Sequence, residues 1–131
     1  MAPRVTVVND NPEFLELVRD ILEGDDYATT TIDGDLDGAL ERVIESRPDL
    51  VILDLRLGTD ELHGWDIGQE LRREPSFEAL PMIICSADVL ALQALADDLA
   101  DTKQVRALTK PFTIAELNAT IDGLLAEAAS G

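Results

Sequence analysis

Apolar residues along this chain follow two alternating rhythms. Short, nearly unbroken apolar or β-branched runs recur five times, at Arg4–Val8, Tyr27–Ile32, Leu50–Leu53, Met82–Cys85 and Val105–Leu108. Runs of this length suit strands buried on both faces of a parallel sheet. The second run is rich in threonine and is expected near a sheet edge. Between the runs, apolar residues recur at three- and four-residue steps, the helical period. Phe14, Leu15, Val18, Ile21 and Leu22 mark a first helix. Asn11 and Pro12 are placed to open it and Gly24 to stop it. A second helix runs from about Leu36 to Ser46, with Leu40, Val43 and Ile44 inward and Pro48 beyond its end. After a polar loop, Gly58–His63, a third carries Trp65, Ile67 and Leu71 and closes at Pro75. Ala87–Leu99 reads as a fourth helix. Thr113 and Glu116, at capping-box spacing, open a last one with Ile114, Leu117, Ile121, Leu124 and Leu125 on its apolar face.

Strand and helix alternate five times, which predicts an α/β fold: a five-stranded parallel sheet, doubly wound, with helices on both faces. The strand order 2-1-3-4-5 is the one general to flavodoxin-like sheets of this size and is adopted as the expectation. In such sheets ligands sit at the carboxyl ends of the strands. Here those ends carry Asn9 and Asp10, Asp54, Ser86, and Lys110.

Charge narrows the function classes. A net charge of −17 over 131 residues argues against binding nucleic acid or an anionic membrane through a general basic surface. It fits a cation site or a basic partner. No apolar run is long enough to cross a bilayer, and Asn9, Asp10 and Asn11 interrupt any signal-peptide layout. The single cysteine, Cys85, allows no internal disulfide, which fits a reducing cytoplasm, and its apolar surroundings read as core. His63 has no histidine or cysteine partner and reads as a surface-loop residue, and Trp65 as a helix anchor against the core.

The four strand ends together hold the parts of a phosphoryl-transfer site. Asp10 and Asp54 side by side would repel, and a hard divalent cation resolves the repulsion. Mg²⁺ takes one or two carboxylates, several waters and a phosphate oxygen. A carboxylate such as Asp54 is also a known covalent nucleophile toward phosphoryl groups. Lys110 supplies positive charge and Ser86 a hydroxyl donor for the phosphoryl oxygens.

The chain resembles the receiver domains of bacterial two-component response regulators, including the chemotaxis regulators. The resemblance rests on Val-Asn-Asp-Asn-Pro at 8–12, Asp54, Ser86-Ala87 and Lys110-Pro111-Phe112, and it covers nearly the whole chain. It implies Asp54 as phosphoacceptor, with Ser86 and Lys110 assisting. For Mg²⁺ it implies Asp10, Asp54 and the Arg56 backbone carbonyl as ligands, with Asn9 contributing weakly or through water. It further implies a histidine kinase or phosphotransfer protein as donor, slow self-dephosphorylation, and a signalling face built from the fourth helix, fifth strand and last helix. On this reading the chain is a single stand-alone receiver without an output domain, cytoplasmic, not an enzyme beyond self-phosphorylation and self-dephosphorylation, and without nucleic-acid or membrane contact.

Several positions depart from the family pattern. Asn9 stands where a carboxylate is usual, so Mg²⁺ is expected to bind more weakly. The loop between Asp54 and Gly64 is two residues longer than the common one, and Gly58 sits where proline is frequent. Ala107 occupies the switch position, usually aromatic or histidine, so no ring can swing inward there. Arg56 and Asp88 fall at positions that tune phosphate lifetime in relatives, and a pair between them across the crevice mouth is expected to slow water attack. In the fourth helix Leu92, Leu95, Ala96 and Leu99 share one face while Leu90, Ala91 and Ala94 fall largely off it, a contact surface for a partner or a second copy. Two alternatives stand beside the phosphoaccepting receiver. One is a pseudo-receiver controlled by protein contact alone, which Asn9 and Ala107 favour. The other is a Mg²⁺-dependent phosphohydrolase with an aspartate nucleophile. Arg56 opposes it, standing where such enzymes place a second acid.

Overall fold

The computed structural model describes residues 3–33, 38–55, 63–101 and 104–130. In chain order its elements are β1 Arg4–Asn9, α1 Pro12–Gly24, β2 Ala28–Asp33, α2 Ala39–Ser46, β3 Leu50–Asp54, α3 His63–Arg73, a 3₁₀ turn at Pro75–Phe77, β4 Met82–Ser86, α4 Val89–Ala94, α5 Ala96–Asp101, β5 Val105–Thr109 and α6 Ile114–Ser130. The strands form one sheet in the order β2-β1-β3-β4-β5, and every pairing is parallel. The threonine-rich β2 lies at an edge, as its composition predicts.

Successive side chains of a strand point to opposite faces, so each central strand feeds two cores. Leu50 and Ile52 of β3 join Val5, Val7, Ile83, Cys85 and Leu108 beneath α1 and α6. Val51 and Leu53 join Val8, Ile84 and Val105 beneath α2, α3, α4 and α5. This two-sided burial is why β3 and β4 read as unbroken apolar runs. Leu50, Ile52, Leu53, Ile83 and Ile84 are all buried, and each contributes about 1.5–3 kcal/mol of transfer free energy. Close approach of α3 to β3 depends on Gly68. A Cβ there would meet the Trp65 ring at 3.2 Å and the Leu53 side chain at 3.4 Å. Buried Thr6 is satisfied in a chain of hydroxyls. The Ser46 hydroxyl donates to the Val43 carbonyl at 2.7 Å, so the Thr6 hydroxyl donates to Ser46 Oγ, also at 2.7 Å.

Both expected helix starts carry their caps. Asn11 Oδ1 accepts from the backbone N–H of Glu13 at 2.9 Å and of Phe14 at 3.4 Å. At the start of α6, Thr113 Oγ1 accepts from the Glu116 N–H at 3.0 Å and Glu116 Oε1 from the Thr113 N–H at 3.1 Å. Replacing Asn11 with alanine will cost about 1 kcal/mol of stability. Urea denaturation measures it as a lower midpoint at unchanged slope.

Several details differ from the sequence-based expectations, among them Ala96, which is exposed rather than on the packed face. Ala87–Leu99 is two short helices that part at Leu95, whose N–H reaches the carbonyls of both Ala91 and Leu92 at 3.2 Å. No glycine or proline marks the break. Asp97 and Asp98 follow it, and acidic residues favour a helix's first turn. Ala91 faces the core rather than falling off the packed face, while Leu90 is 77% exposed. The turn after α1 is made by Asp26, at φ 68°, not by Gly24, which is still helical. Asp and asparagine tolerate that left-handed region better than other side chains. Helix α2 begins at Ala39 behind Gly38, whose φ is 86°, and Leu36 lies outside the described residues. Ile114, the first residue of α6, is 57% exposed rather than on the helix's packed face.

Candidate functional site

The register brings the predicted residues to one edge of the sheet. Asp54 pairs with Cys85, Val8 with Leu53, and Ser86 with Thr109. Asn9 therefore lies one residue past the Val8–Leu53 pair, on the level of Asp54. Asp10 follows β1, and Lys110 follows β5 immediately. The Lys110 N–H donates to the Ser86 carbonyl at 2.9 Å, and the Leu55 N–H to the Cys85 carbonyl at 2.8 Å, so the parallel ladder continues under the site. The Lys110–Pro111 peptide bond is cis.

Lys110 Nζ stands 3.4 Å from Asp54 Oδ1, with both side chains largely shielded from water. That separation is longer than the 2.7–2.9 Å typical of a charge-assisted hydrogen bond. Burial pushes the Asp54 carboxyl above its ordinary value. Lys110 works against that shift, the charge of Asp10 adds to it, and the Leu55 N–H opposes it. The Asp54 carboxyl thus sits in a partly desolvated place where two carboxylates feel each other and one ammonium balances them. Because the folded value lies above the unfolded one, the native state holds more protons in the window between them. Stability falls as pH rises through that window, and the penalty is fully present above it. Asp54→Asn will therefore melt higher than the wild type at neutral pH. The gain will shrink as pH falls through the window and disappear once both states of the wild type are protonated. Scanning calorimetry across pH measures both ends.

Ser86 is buried, and its Oγ accepts from the Asp88 N–H at 2.9 Å, which leaves the hydroxyl proton to be donated. Asp88 Oδ1 caps α4 by accepting from the Ala91 N–H at 3.0 Å. Arg56, its expected partner, and the long loop that follows Asp54 lie outside the described residues. His63 is the first residue of α3 rather than a loop residue. Cys85 is buried in the core, and burial raises its thiol to about 12, so it is an inert neighbour of the site. Ala107 is exposed on β5.

Asn9 is buried, and its Oδ1 accepts from the Asn11 N–H at 2.8 Å. That bond commits the amide oxygen to the turn that opens α1. The Nδ2 donor is buried without a partner. The donor set suits Mg²⁺ with few protein ligands. Asp10 and Asp54 act on each other electrostatically, and no cluster of three or more His, Cys, Asp or Glu residues is found among the described residues. Two carboxylates completed by water match how Mg²⁺ is usually held.

One feature of the site has no forewarning in the spacing of residues. Lys110 Nζ lies over the face of the Phe14 ring, 4.3 Å from its centroid. Phe14 in turn meets Phe112 edge-on, with centroids 6.2 Å apart and planes at 87°. Helical periodicity identifies Phe14 only as a core residue of α1. The available signal is composition: these are two of only three phenylalanines in the chain.

Comparison with known proteins agrees with this arrangement. Residues 5–122 match the model of the response regulator receiver domain. The DNA-binding response regulator MtrA of Mycolicibacterium smegmatis is 35% identical over 127 residues, covering 92% of this chain and 50% of the relative. The sensor histidine kinase TmoS of Ectopseudomonas mendocina is 30% identical over 132 residues, covering 98% of this chain and 13% of that protein. The chain thus spans about half the length of the first relative and a small part of the second. Among solved structures, the receiver domain of a sensor histidine kinase from Pseudomonas aeruginosa superposes with a TM-score of 0.78 at 22% identity, covering 96% of this chain and 99% of that one. That structure holds a magnesium ion in its active-site cleft. The chemotaxis response regulator CheY4 of Vibrio cholerae superposes with a TM-score of 0.80 at 18% identity, covering 95% and 99%. No described helix is long and apolar enough to cross a membrane. With the family match over most of its length and the sheet order of these structures, the chain belongs to the receiver domains of two-component response regulators.

Proposed function

We propose that this receiver accepts a phosphoryl group on Asp54 from a histidine kinase or phosphotransfer protein in the cytoplasm, and signals through protein contact. The observation that carries the reading is the shielded Asp54–Lys110 pair at 3.4 Å, at the carboxyl end of the sheet. An Asp54 carboxylate oxygen attacks the phosphorus of a phosphohistidine. A P–O bond forms, the P–N bond breaks, and its electron pair returns to the imidazole, which takes up a proton. Water attack on phosphorus later frees Asp54 and inorganic phosphate. Lys110 offsets charge on the phosphoryl oxygens, and the Ser86 hydroxyl donates to one of them. Asp10 and Asp54, with the Arg56 carbonyl, would hold Mg²⁺, whose role is to neutralise phosphoryl charge. Asn9, its oxygen committed to Asn11, contributes at most through water.

Phosphorylation adds close to two negative charges, enough to bias a neighbouring surface. Exposed Val89 and Leu90 on α4, Ala107 on β5 and Ile114 on α6 support a contact face for a downstream protein or a second copy. The acidic net charge supports a partner with basic patches and no direct nucleic-acid contact by this segment.

Intact-mass spectrometry after incubation with acetyl phosphate, with Mg²⁺ or with a chelator, tests the reading. The expected result is one phosphoryl adduct that requires the metal. No adduct under conditions that label an ordinary receiver would favour the alternative, a module controlled by contact alone. Asn9→Asp will raise Mg²⁺ affinity several-fold, since one more unit charge beside a divalent ion is worth on the order of 1 kcal/mol even at bulk dielectric. Titration followed by Trp65 fluorescence measures the change.

A further inference from the structure

We propose that Phe14 is a positioning residue for Lys110: its ring holds the ammonium at the mouth of the phosphoacceptor site. The inference rests on the reading of Asp54 as phosphoacceptor. Lys110 has a flexible four-carbon stem, and its main chain is anchored through the N–H to the Ser86 carbonyl. What fixes the ammonium is therefore whatever faces it. Among the described residues two groups do so: Asp54 Oδ1 at 3.4 Å and the Phe14 ring centroid at 4.3 Å. The first is too long to lock the ammonium by itself. The second lies well inside the range over which a cation is attracted to an aromatic face, and the attraction grows with desolvation.

The ring is itself held. Phe112, two residues beyond Lys110, meets it edge-on, the arrangement aromatic quadrupoles favour. The Asn11 side chain caps the turn from which Phe14 projects and accepts from the Phe14 N–H. Both rings pack against the cluster beneath α1 and α6. Phe14 thus ties the first turn of α1 to the cation at the end of β5. When a phosphoryl group arrives on Asp54, Lys110 gains acceptors far stronger than the ring. Its ammonium then shifts toward them, and the first turn of α1 loses a contact.

The test compares Phe14→Leu, which keeps apolar volume but not the ring, with Phe14→Tyr, which keeps the ring. Three quantities are read: melting temperature, the rate of phosphoryl uptake from acetyl phosphate with Mg²⁺, and the proton shifts of the Lys110 ε-methylene by NMR. In the wild type and Phe14→Tyr, those shifts should be displaced upfield by the ring current. In Phe14→Leu the displacement should disappear, and uptake should slow roughly three- to tenfold, the scale of one cation–π contact. Phe14→Tyr should restore uptake. Uptake at the wild-type rate in a folded Phe14→Leu, or no ring-current displacement in the wild type, would overturn the proposal. If the wild type takes no phosphoryl group, the phosphoacceptor reading fails. The ring-current displacement then decides alone: its presence upholds the Phe14–Lys110 contact and its absence overturns it.

Discussion

Lys110→Ala will slow phosphoryl uptake by Asp54 about 10²–10³-fold while leaving the chain folded. The magnitude is that of removing one preorganised donor aimed at developing charge in a shielded site. Lys110 Nζ is the cation that an ion pair places beside Asp54, at 3.4 Å. Its loss has two consequences. The phosphoryl oxygens lose a balancing charge, and the Asp54 carboxyl loses the group that most strongly opposes its upward shift. The acid limb of the pH–rate profile will therefore move to higher pH in the variant, because less carboxylate is available at a given pH. Lys110→Arg should recover only part of the rate, since the planar guanidinium does not reproduce a compact ammonium. Single-turnover uptake from acetyl phosphate across pH measures both effects. A rate within twofold of wild type would remove Lys110 from the mechanism.

Leu117→Ala is expected to destabilise the fold strongly. Leu117 is fully buried and packs in the cluster that includes Ile83, Cys85 and Leu108. Truncating such a leucine costs about 2–5 kcal/mol through lost transfer energy and the cavity left behind. For a domain of this size that lowers the melting temperature by roughly 7–18 °C. Calorimetry measures it, and the neighbouring Ile114→Ala supplies the control. Ile114, exposed at the helix start, should change stability by less than about 0.5 kcal/mol. Equal losses at the two positions would contradict the placement of α6 against the sheet.

The three interior strands are legible in the sequence because burial on both faces leaves unbroken apolar runs, as at Leu50–Leu53, while the edge strands β2 and β5, partly exposed, show the pattern less fully. The caps at Asn11 and Thr113 are legible because capping uses short-range spacing. The break at Leu95 is not, since periodicity continues through it and only the paired acids beyond it hint at a new first turn. Ile114 shows the same weakness from the other side: it keeps the helical period but is exposed at the helix start. At the site, the residue types at the strand ends are legible and their mutual distances are not. The commitment of the Asn9 oxygen to the Asn11 N–H, and the seating of Lys110 on Phe14, both arise from tertiary placement. No spacing rule connects residues 14 and 110.

Locating the acyl phosphate decides whether Asp54 is the phosphoacceptor. An aspartyl phosphate is reduced by borohydride to homoserine, and peptide mass mapping then reads the position. After treatment with acetyl phosphate and Mg²⁺, homoserine should appear at position 54 and nowhere else, and not at all in Asp54→Asn. Homoserine at Asp10 or Asp88, or none in a chain that gains a phosphoryl adduct, would contradict the account.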